Sequence, residues 1–354
     1  MSVKYIGLDV HQATSVAAVL DAHGKVVMEC ILETKASTLL DFVRGLRGEL
    51  HVTLEEGSWA AWLHDVLQPH VQRLIVCDPR KNALLKQGNK SDKIDARKLA
   101  DLLRAGLLSP VYHGENGLGL LRELARSYLT LTEDTTRVMN RIKAVYRGRG
   151  IACASPKIYS VRHRGEWLGQ LREPGLRRRA ERLYQQLDQL QPLRWQTRRE
   201  MLQECRRHPA NRCLQQIPYI GSIRAALLIA LLQTPHRFRT KRQLWAYSGL
   251  AVTTHSSADY QLVNGKFQRT RNTTTVRGLN DNRNPQLKNL FKGMALSGSV
   301  RPGLWRDFYL TLLNKGMKPA LARLTLARKM AAITLTVWKK GERFDPKKLT
   351  LQVA

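Results

Sequence analysis

Four acidic residues stand where they could share a cation: Asp9 and Glu55 each end an apolar run, and Asp92 and Asp95 open a helical pattern. Side chains three apart on a helix lie on one face, about one turn apart. Four carboxylates brought together repel one another strongly unless a cation sits among them. Hard oxygen donors with room for water suit Mg²⁺ or Mn²⁺. Such ions activate an attacking oxygen and stabilise the leaving one in phosphodiester chemistry, often as a pair about 3.5–4 Å apart. Each acid alone also has an ordinary reading. Asp9 would serve as a turn former, Asp92 as an early helix acid favoured by the macrodipole, and Asp95 as a partner of Lys98 or Lys93. Glu56 competes with Glu55, but side chains alternate faces along a strand, so only one of the two can point at a shared site.

The surrounding residues predict the elements that must position these acids. Residues 3–9, 15–21 and 25–32 are β-branched, apolar runs, with Asp21-Ala-His-Gly24 as the turn of a hairpin. A helix is expected from Ser37 as N-cap, with Leu39, Leu40, Val43 and Leu46 at helical spacing. A strand over 51–55, a helix over 59–67, a strand over 73–78 and a strongly patterned helix over 92–104 follow. Three strands and then alternating helix and strand is the order of the ribonuclease H fold, so an α/β ribonuclease H-like domain is expected over residues 1–110.

Apolar residues then recur at three- and four-residue spacing over 118–147 and 176–207, among them Leu121, Leu124, Ile142, Val145, Leu183 and Leu187. Two long amphipathic helices, the second bent near Pro192, form a helical hairpin or coiled coil across 111–208. Between positions 136 and 212 there are 19 Lys/Arg against 6 Asp/Glu. That surplus favours contact with RNA or DNA through Arg141, Lys143, Arg147, Arg149, Arg177 and Arg178 over a merely solvated face. The remaining segment, 209–354, is expected to be mainly α. It opens on Ile217-Pro-Tyr-Ile-Gly-Ser222, which is like a helix-hairpin-helix motif whose backbone N–H groups face a phosphate. Tyr219 stands where such a motif usually has its first glycine, and a buried helical hairpin without a ligand is an equal reading.

Charge and composition narrow the partners. The 354-residue chain is 43% hydrophobic, enough to bury a core, and carries a formal net charge of +31. Residues 1–110 hold 14 Lys/Arg against 13 Asp/Glu, whereas 111–354 hold 45 against 15. An excess of this kind gains affinity for a polyanion by releasing counterions from phosphates. No apolar run reaches the roughly 18 to 20 residues that span a bilayer, and the first residues lack a signal-peptide pattern, so a cytoplasmic protein without a membrane partner is expected. Five cysteines with no CxxC pair argue against a disulfide framework. Cys205, His208 and Cys213 have a passing likeness to metal spacing, but no fourth ligand lies near and Pro209 interrupts them.

At Gly7-Leu-Asp9-Val, Leu54-Glu55, Lys90-Ser-Asp92-Lys-Ile-Asp95-Ala-Arg97 and Ala246-Tyr-Ser-Gly249-Leu250 the chain resembles the DEDD-type insertion-sequence transposases, the serine-containing recombinases guided by a bridge RNA. The resemblance covers nearly the whole chain, and the Lys-x-Asp-x-x-Asp-Ala segment is its most specific part. It implies that Asp9, Glu55, Asp92 and Asp95 hold Mg²⁺ or Mn²⁺. It also implies that a C-terminal serine attacks DNA. Ser257, eight residues beyond Gly249, matches that position best, and Ser256 is the second choice; without the resemblance the pair reads as a polar loop.

The chain departs from the pattern in several places. Val252 stands where the family usually has a Pro, Ala258 where it has a Gly, and Glu55-Glu56-Gly57 shortens the usual acid-Ala-Thr-Gly stretch. Arg269, Arg271 and Arg277 occupy the region of the usual Ser/Thr-Lys-x-Gly stretch and would neutralise phosphate, with ordinary surface arginines as the other reading. The resemblance further implies donor and target DNA, a guide RNA, a homodimer or homotetramer with a composite site, and residence with the nucleoid. Two other readings use the same residues: a metal-dependent junction nuclease with water as attacker, and a nucleic-acid-binding protein without catalysis.

Overall fold

The structure is a computed structural model of the chain and describes residues 2–82, 91–114, 117–255, 260–263, 266–269 and 275–346. The chain forms two compact units, Met1–Glu115 and Asn116–Ala354.

The first unit is built on one five-stranded sheet. Its elements run β1 (Val3–Val10), β2 (Thr14–Leu20), β3 (Val26–Glu33), α1 (Ala36–Gly45), β4 (Glu49–Glu55), α2 (Ala60–Leu67), β5 (Arg73–Cys77), α3 (Pro79–Asn82) and α4 (Asp92–Arg104). The strand order is β3-β2-β1-β4-β5. β1 and β2, and β2 and β3, pair antiparallel, while β4 lies parallel to both β1 and β5. This mixed order is consistent with a ribonuclease H-like domain. Gly24, at φ 85°, closes the turn between β2 and β3, where Asp21 accepts hydrogen bonds from the backbone of His23 and Lys25.

Strand alternation sends the apolar residues of β1 to two faces. Ile6 and Leu8 are buried with Leu39, Val43, Leu63 and Leu67, on the side of α1 and α2. Gly7 faces α4 instead, beside a small cluster of Val16, Ala18 and Ala96. A Cβ on Gly7 would lie 2.1 Å from the Ala96 carbonyl oxygen and 2.6 Å from the Ala100 amide nitrogen. The missing side chain is therefore what lets helix and strand backbones touch. α1 starts one residue before Ser37, with Lys35 at its N-cap and no side-chain cap. β3 runs to Glu33, and the Thr34 hydroxyl donates to the His11 carbonyl, so only two residues remain for the turn into the helix.

The second unit is mainly helical. α5 (Gly119–Arg147), α6 (Arg164–Gly169) and α7 (Pro174–Arg206) precede α8 (Ala210–Gln215), α9 (Ser222–Leu232) and α10 (Lys241–Tyr247). Four short strands follow, β6 (Val252–His255), β7 (Tyr260–Val263), β8 (Lys266–Arg269) and β9 (Thr275–Leu279), and then α11 (Pro285–Val300), α12 (Leu304–Asn314) and α13 (Pro319–Lys340). β6 pairs with β9 and β7 with β8, each antiparallel, an addition to the helical section that the sequence pattern did not foretell.

α5 and α7, roughly 43 and 50 Å long at 1.5 Å per residue, pack against each other as a hairpin. One end carries its own core of Ile142, Tyr146, Ile158, Ala180, Tyr184 and Leu187, in which the Tyr184 hydroxyl donates to the Ile158 carbonyl. The other end, through Leu121, Ala125, Met201 and Cys205, belongs to the large core of α8 to α13. Tyr219 adopts φ 69°, a left-handed conformation, and its carbonyl accepts a hydrogen bond from Arg224. Among the described residues no helix is long and apolar enough to cross a membrane.

Candidate metal centre and nucleic-acid contacts

The close packing at Gly7 sets the geometry of the acids. From that contact β1 continues two residues to Asp9, and α4 extends back one turn to Asp92, so the two carboxylates arrive at the same end of the sheet. Ser91 caps α4 by accepting from the Ile94 amide at 3.3 Å, which places Asp92 and Asp95 in the positive first turn. His11 Nε2 lies 3.5 Å from Asp9 Oδ2 and 3.7 Å from Asp92 Oδ1. The ligand atoms of Asp9, His11 and Asp92 all fall within 4.8 Å of one another. Two hard carboxylates and an imidazole at that spacing form a donor set suited to a divalent cation.

Glu55 is placed by register. Leu8 pairs with Leu54 in the parallel β1–β4 ladder, so Asp9 and Glu55 follow side by side on adjacent strands and share the α4 face of the sheet. Glu56 is committed elsewhere: its carboxylate lies 2.6 Å from His113 Nε2, and His113 stacks on His64 at 5.0 Å. Asp95 is half-buried, one turn of α4 from Asp92. Glu55 and Asp95 stand outside the tight Asp9–His11–Asp92 group. The structure thus brings together Asp9 and Asp92 and adds His11, which reasoning from the sequence missed. Its only signal was a histidine two residues past a strand-end aspartate.

The other expected site residues divide by position. Ser257 and its neighbour Ser256 lie outside the described residues, as does Arg271. Arg269 ends β8 and Arg277 lies within β9. Arg141, Arg147, Arg149, Arg177 and Arg178 are exposed on or beside the α5–α7 hairpin. Lys143 sits over the Tyr159 ring at 5.4 Å, and Arg149 pairs with Glu173 at 3.0 Å. Arg141 also lines a cleft of about 380 Å³ between α5 and α7, with Arg137 and Gln189. Cys205 is buried, which pushes its thiol up to about 11, and all five cysteines are free thiols.

Residues 6–148 match the model of the DEDD transposase domain of IS110 elements, described as Transposase. Residues 211–309 match the model described as Transposase IS116/IS110/IS902 family. No curated protein matches the chain. The first match spans β1 to α5 and contains Asp9, Glu55, Asp92 and Asp95; the second spans most of the section from α8 into α12. With one model of this family at the amino-terminal sheet and its metal-suited acids, and another on the helical section, the chain belongs to the IS110 family: it is a DNA transposase/recombinase of an insertion sequence.

Proposed function

We propose that this transposase cuts and rejoins DNA by serine attack assisted by a divalent cation, at sites chosen by a structured guide RNA. The observation that carries the reading is the convergence of Asp9 and Asp92 on one histidine nitrogen, with Glu55 next to Asp9 in register and Asp95 on the same helix. These four acids would hold Mg²⁺, or Mn²⁺. The ion would neutralise the scissile phosphate and ease loss of the serine proton.

Ser257 is the proposed nucleophile, with Ser256 as the alternative hydroxyl. Its Oγ bonds to phosphorus as the bond from phosphorus to the 3′ oxygen breaks. The serine proton ends on the released 3′ oxygen, leaving a phosphoserine linkage and a free 3′ hydroxyl. Attack by the 3′ hydroxyl of an exchanged strand reverses the step and restores the serine. The number of phosphodiester bonds is conserved, so no external energy source is needed.

Three segments divide the work in this reading. Residues 1–110 hold the cation, 111–208 grip nucleic acid through the basic hairpin, and 209–354 supply the serine. Arg269, Arg271 and Arg277 would neutralise phosphate near it, and the Tyr219 segment before α9 would act as a helix-hairpin-helix contact. Sequence choice falls to base pairing, with the protein reading backbone and helix shape. The active form would be a homodimer or homotetramer working at the nucleoid.

Two measurements test the reading. Denaturing gels and mass spectrometry of the protein with an end-labelled donor should reveal a DNA adduct on Ser257 that Ser257→Ala abolishes together with cleavage. Cleavage that survives in Ser257→Ala with no adduct would transfer the reaction to activated water. Sequencing the RNA that copurifies should give one species with loops complementary to donor and target; random cellular RNA would remove the guide from the scheme.

A further inference from the structure

Three cations converge on one indole where α10 meets α13, within the second unit. Lys241 Nζ stands 5.8 Å from the Trp245 ring centre, and the Arg328 guanidinium carbon stands 5.9 Å from it. Two reciprocal bonds hold the arrangement. Trp245 Nε1 donates to the Arg328 carbonyl at 2.9 Å, and Arg328 Nε donates to the Leu250 carbonyl at 2.7 Å. α13 is thereby fastened both to α10 and to the turn that leaves it, which fixes the indole and the guanidinium in place. Lys329 follows Arg328 and is close enough to Lys241 for the two charges to repel.

No acid balances this group. Among the described residues no carboxylate forms an ion pair with Lys241, Arg328 or Lys329, and the terminal guanidinium nitrogens of Arg328 have no hydrogen-bond partner. Arg328 and Lys329 are half-buried, and Lys241 is exposed. Burial pushes the Arg328 guanidinium and the Lys329 ammonium down from their ordinary values, and Lys241 pushes Lys329 down further. Like charges held together out of full solvent cost stability unless an anion joins them.

We infer that Lys241, Arg328 and Lys329 form a seat for a backbone phosphate of a nucleic-acid strand. The groups at hand suit that ligand. Arg328 presents its terminal nitrogens as a planar fork for phosphate oxygens, and the two lysines add point charges on flexible stems. Residues 111–354 hold 45 Lys/Arg against 15 Asp/Glu, so a polyanion is the complementary partner. A contact of this kind positions the strand and reads no sequence. Leu250, which Arg328 holds, lies two residues before β6, so the seat adjoins the start of the four-strand segment. The inference requires neither the serine mechanism nor the guide RNA, and its failure would leave both intact.

The test compares the same loss of charge at two places in the full chain. Lys241→Gln/Lys329→Gln strips the seat of two cations. Lys315→Gln/Lys318→Gln removes two exposed lysines at the other end of α13, where Lys318 lies roughly 16 Å along the helix from Lys329. Fluorescein-labelled single-stranded DNA, single-stranded RNA and blunt duplex DNA of one mixed sequence are titrated by fluorescence anisotropy across a salt series. The seat variant should bind at least one of them about tenfold more weakly, with a slope of log affinity against log salt smaller by about one, the loss of one phosphate contact. The other variant should stay within about twofold, its lysines standing more than a Debye length from the seat. Whichever ligand loses affinity identifies the source of the phosphate. The seat variant should melt at or above the parent temperature, since mutual repulsion is relieved. Equal losses in the two double variants, or parent-like affinity of the seat variant for all three ligands, would overturn the inference. Amine acylation of the parent, read by mass spectrometry, needs no substitution: a saturating strand should protect Lys241 and Lys329 but not Lys315 and Lys318. Equal acylation of the seat lysines with and without the strand would likewise overturn it.

Discussion

Arg97 donates from Nη2 to Glu29 Oε2 at 2.6 Å, and its Nε donates to the other carboxylate oxygen, fastening α4 to the edge strand β3 by a two-point contact. Arg97 lies two residues past Asp95, so this clamp fixes the rotation of the helix whose first turn carries both aspartates. The guanidinium holds the Glu29 carboxyl below its ordinary range. A carboxyl lowered in the fold contributes stability above its unfolded value, and that contribution is lost as pH falls through the folded one. The melting temperature of the parent should therefore decline below about pH 4.5, and Glu29→Gln should flatten that acid limb while leaving the pH dependence above 6 unchanged. A Glu29→Gln melting curve that tracks the parent at every pH would show that the clamp does not hold in solution.

The neighbouring glutamates give a sharper test of the metal site. Glu55→Gln and Asp9→Asn should each lower strand transfer by roughly a thousandfold, the scale of several kcal/mol of lost charge stabilisation. Glu56→Gln, which loosens only the His113 contact, should stay within a few-fold of the parent. Filter binding of donor DNA, unchanged in all three, separates a chemical defect from a binding one. Equal defects at Glu55 and Glu56 would remove the case for register as the selector.

His11 touches both Asp9 and Asp92, and its imidazole is a borderline ligand in a set of hard ones. Nitrogen donors favour Mn²⁺ over Mg²⁺, whose preference is for oxygen and water. His11→Ala should therefore weaken Mn²⁺ binding, followed by electron paramagnetic resonance, roughly tenfold or more, with a smaller effect on Mg²⁺ competition. Equal loss for both ions would make His11 a spacer between the aspartates.

Gly7→Ala inserts a methyl group 2.1 Å from a carbonyl oxygen that belongs to the helix backbone and cannot swing aside. Overpacking of this kind costs about 1–3 kcal/mol. The substitution should also displace Asp92, so thermal stability and Mn²⁺ affinity should fall together. A stability loss with full metal affinity would uncouple the packing from the site.

Much of this arrangement is legible in the sequence because local patterns determine it. Alternating β-branched runs produced β1 to β4, and Ser91 before a periodic helix marked the start of α4 at Asp92. The choice between Glu55 and Glu56 was framed by strand alternation, but its answer depends on His113, whose partner is 57 residues distant in the chain. His11 stayed hidden because a histidine past a strand end is ordinary in a turn; its meaning comes from α4 folding back beside it. The positive φ of Gln233 was equally unreadable, since turn rules expect glycine or asparagine there. The four strands between α10 and α11 are short and polar, with few of the apolar alternations that announce a sheet.

Pro192 sits inside α7, where it removes one backbone hydrogen bond. No residue of α7 is buried between Leu187 and Met201, and none of α5 between Ala125 and Thr135. The hairpin therefore has a waist, spanned by helix but lacking a core, between two separately packed ends. Each end can open and close as its own foldon, with amides at the waist exchanging ahead of both. The basic tip beyond it would then serve as a limb on a hinge, able to change its angle to a bound strand without unfolding the body that roots it.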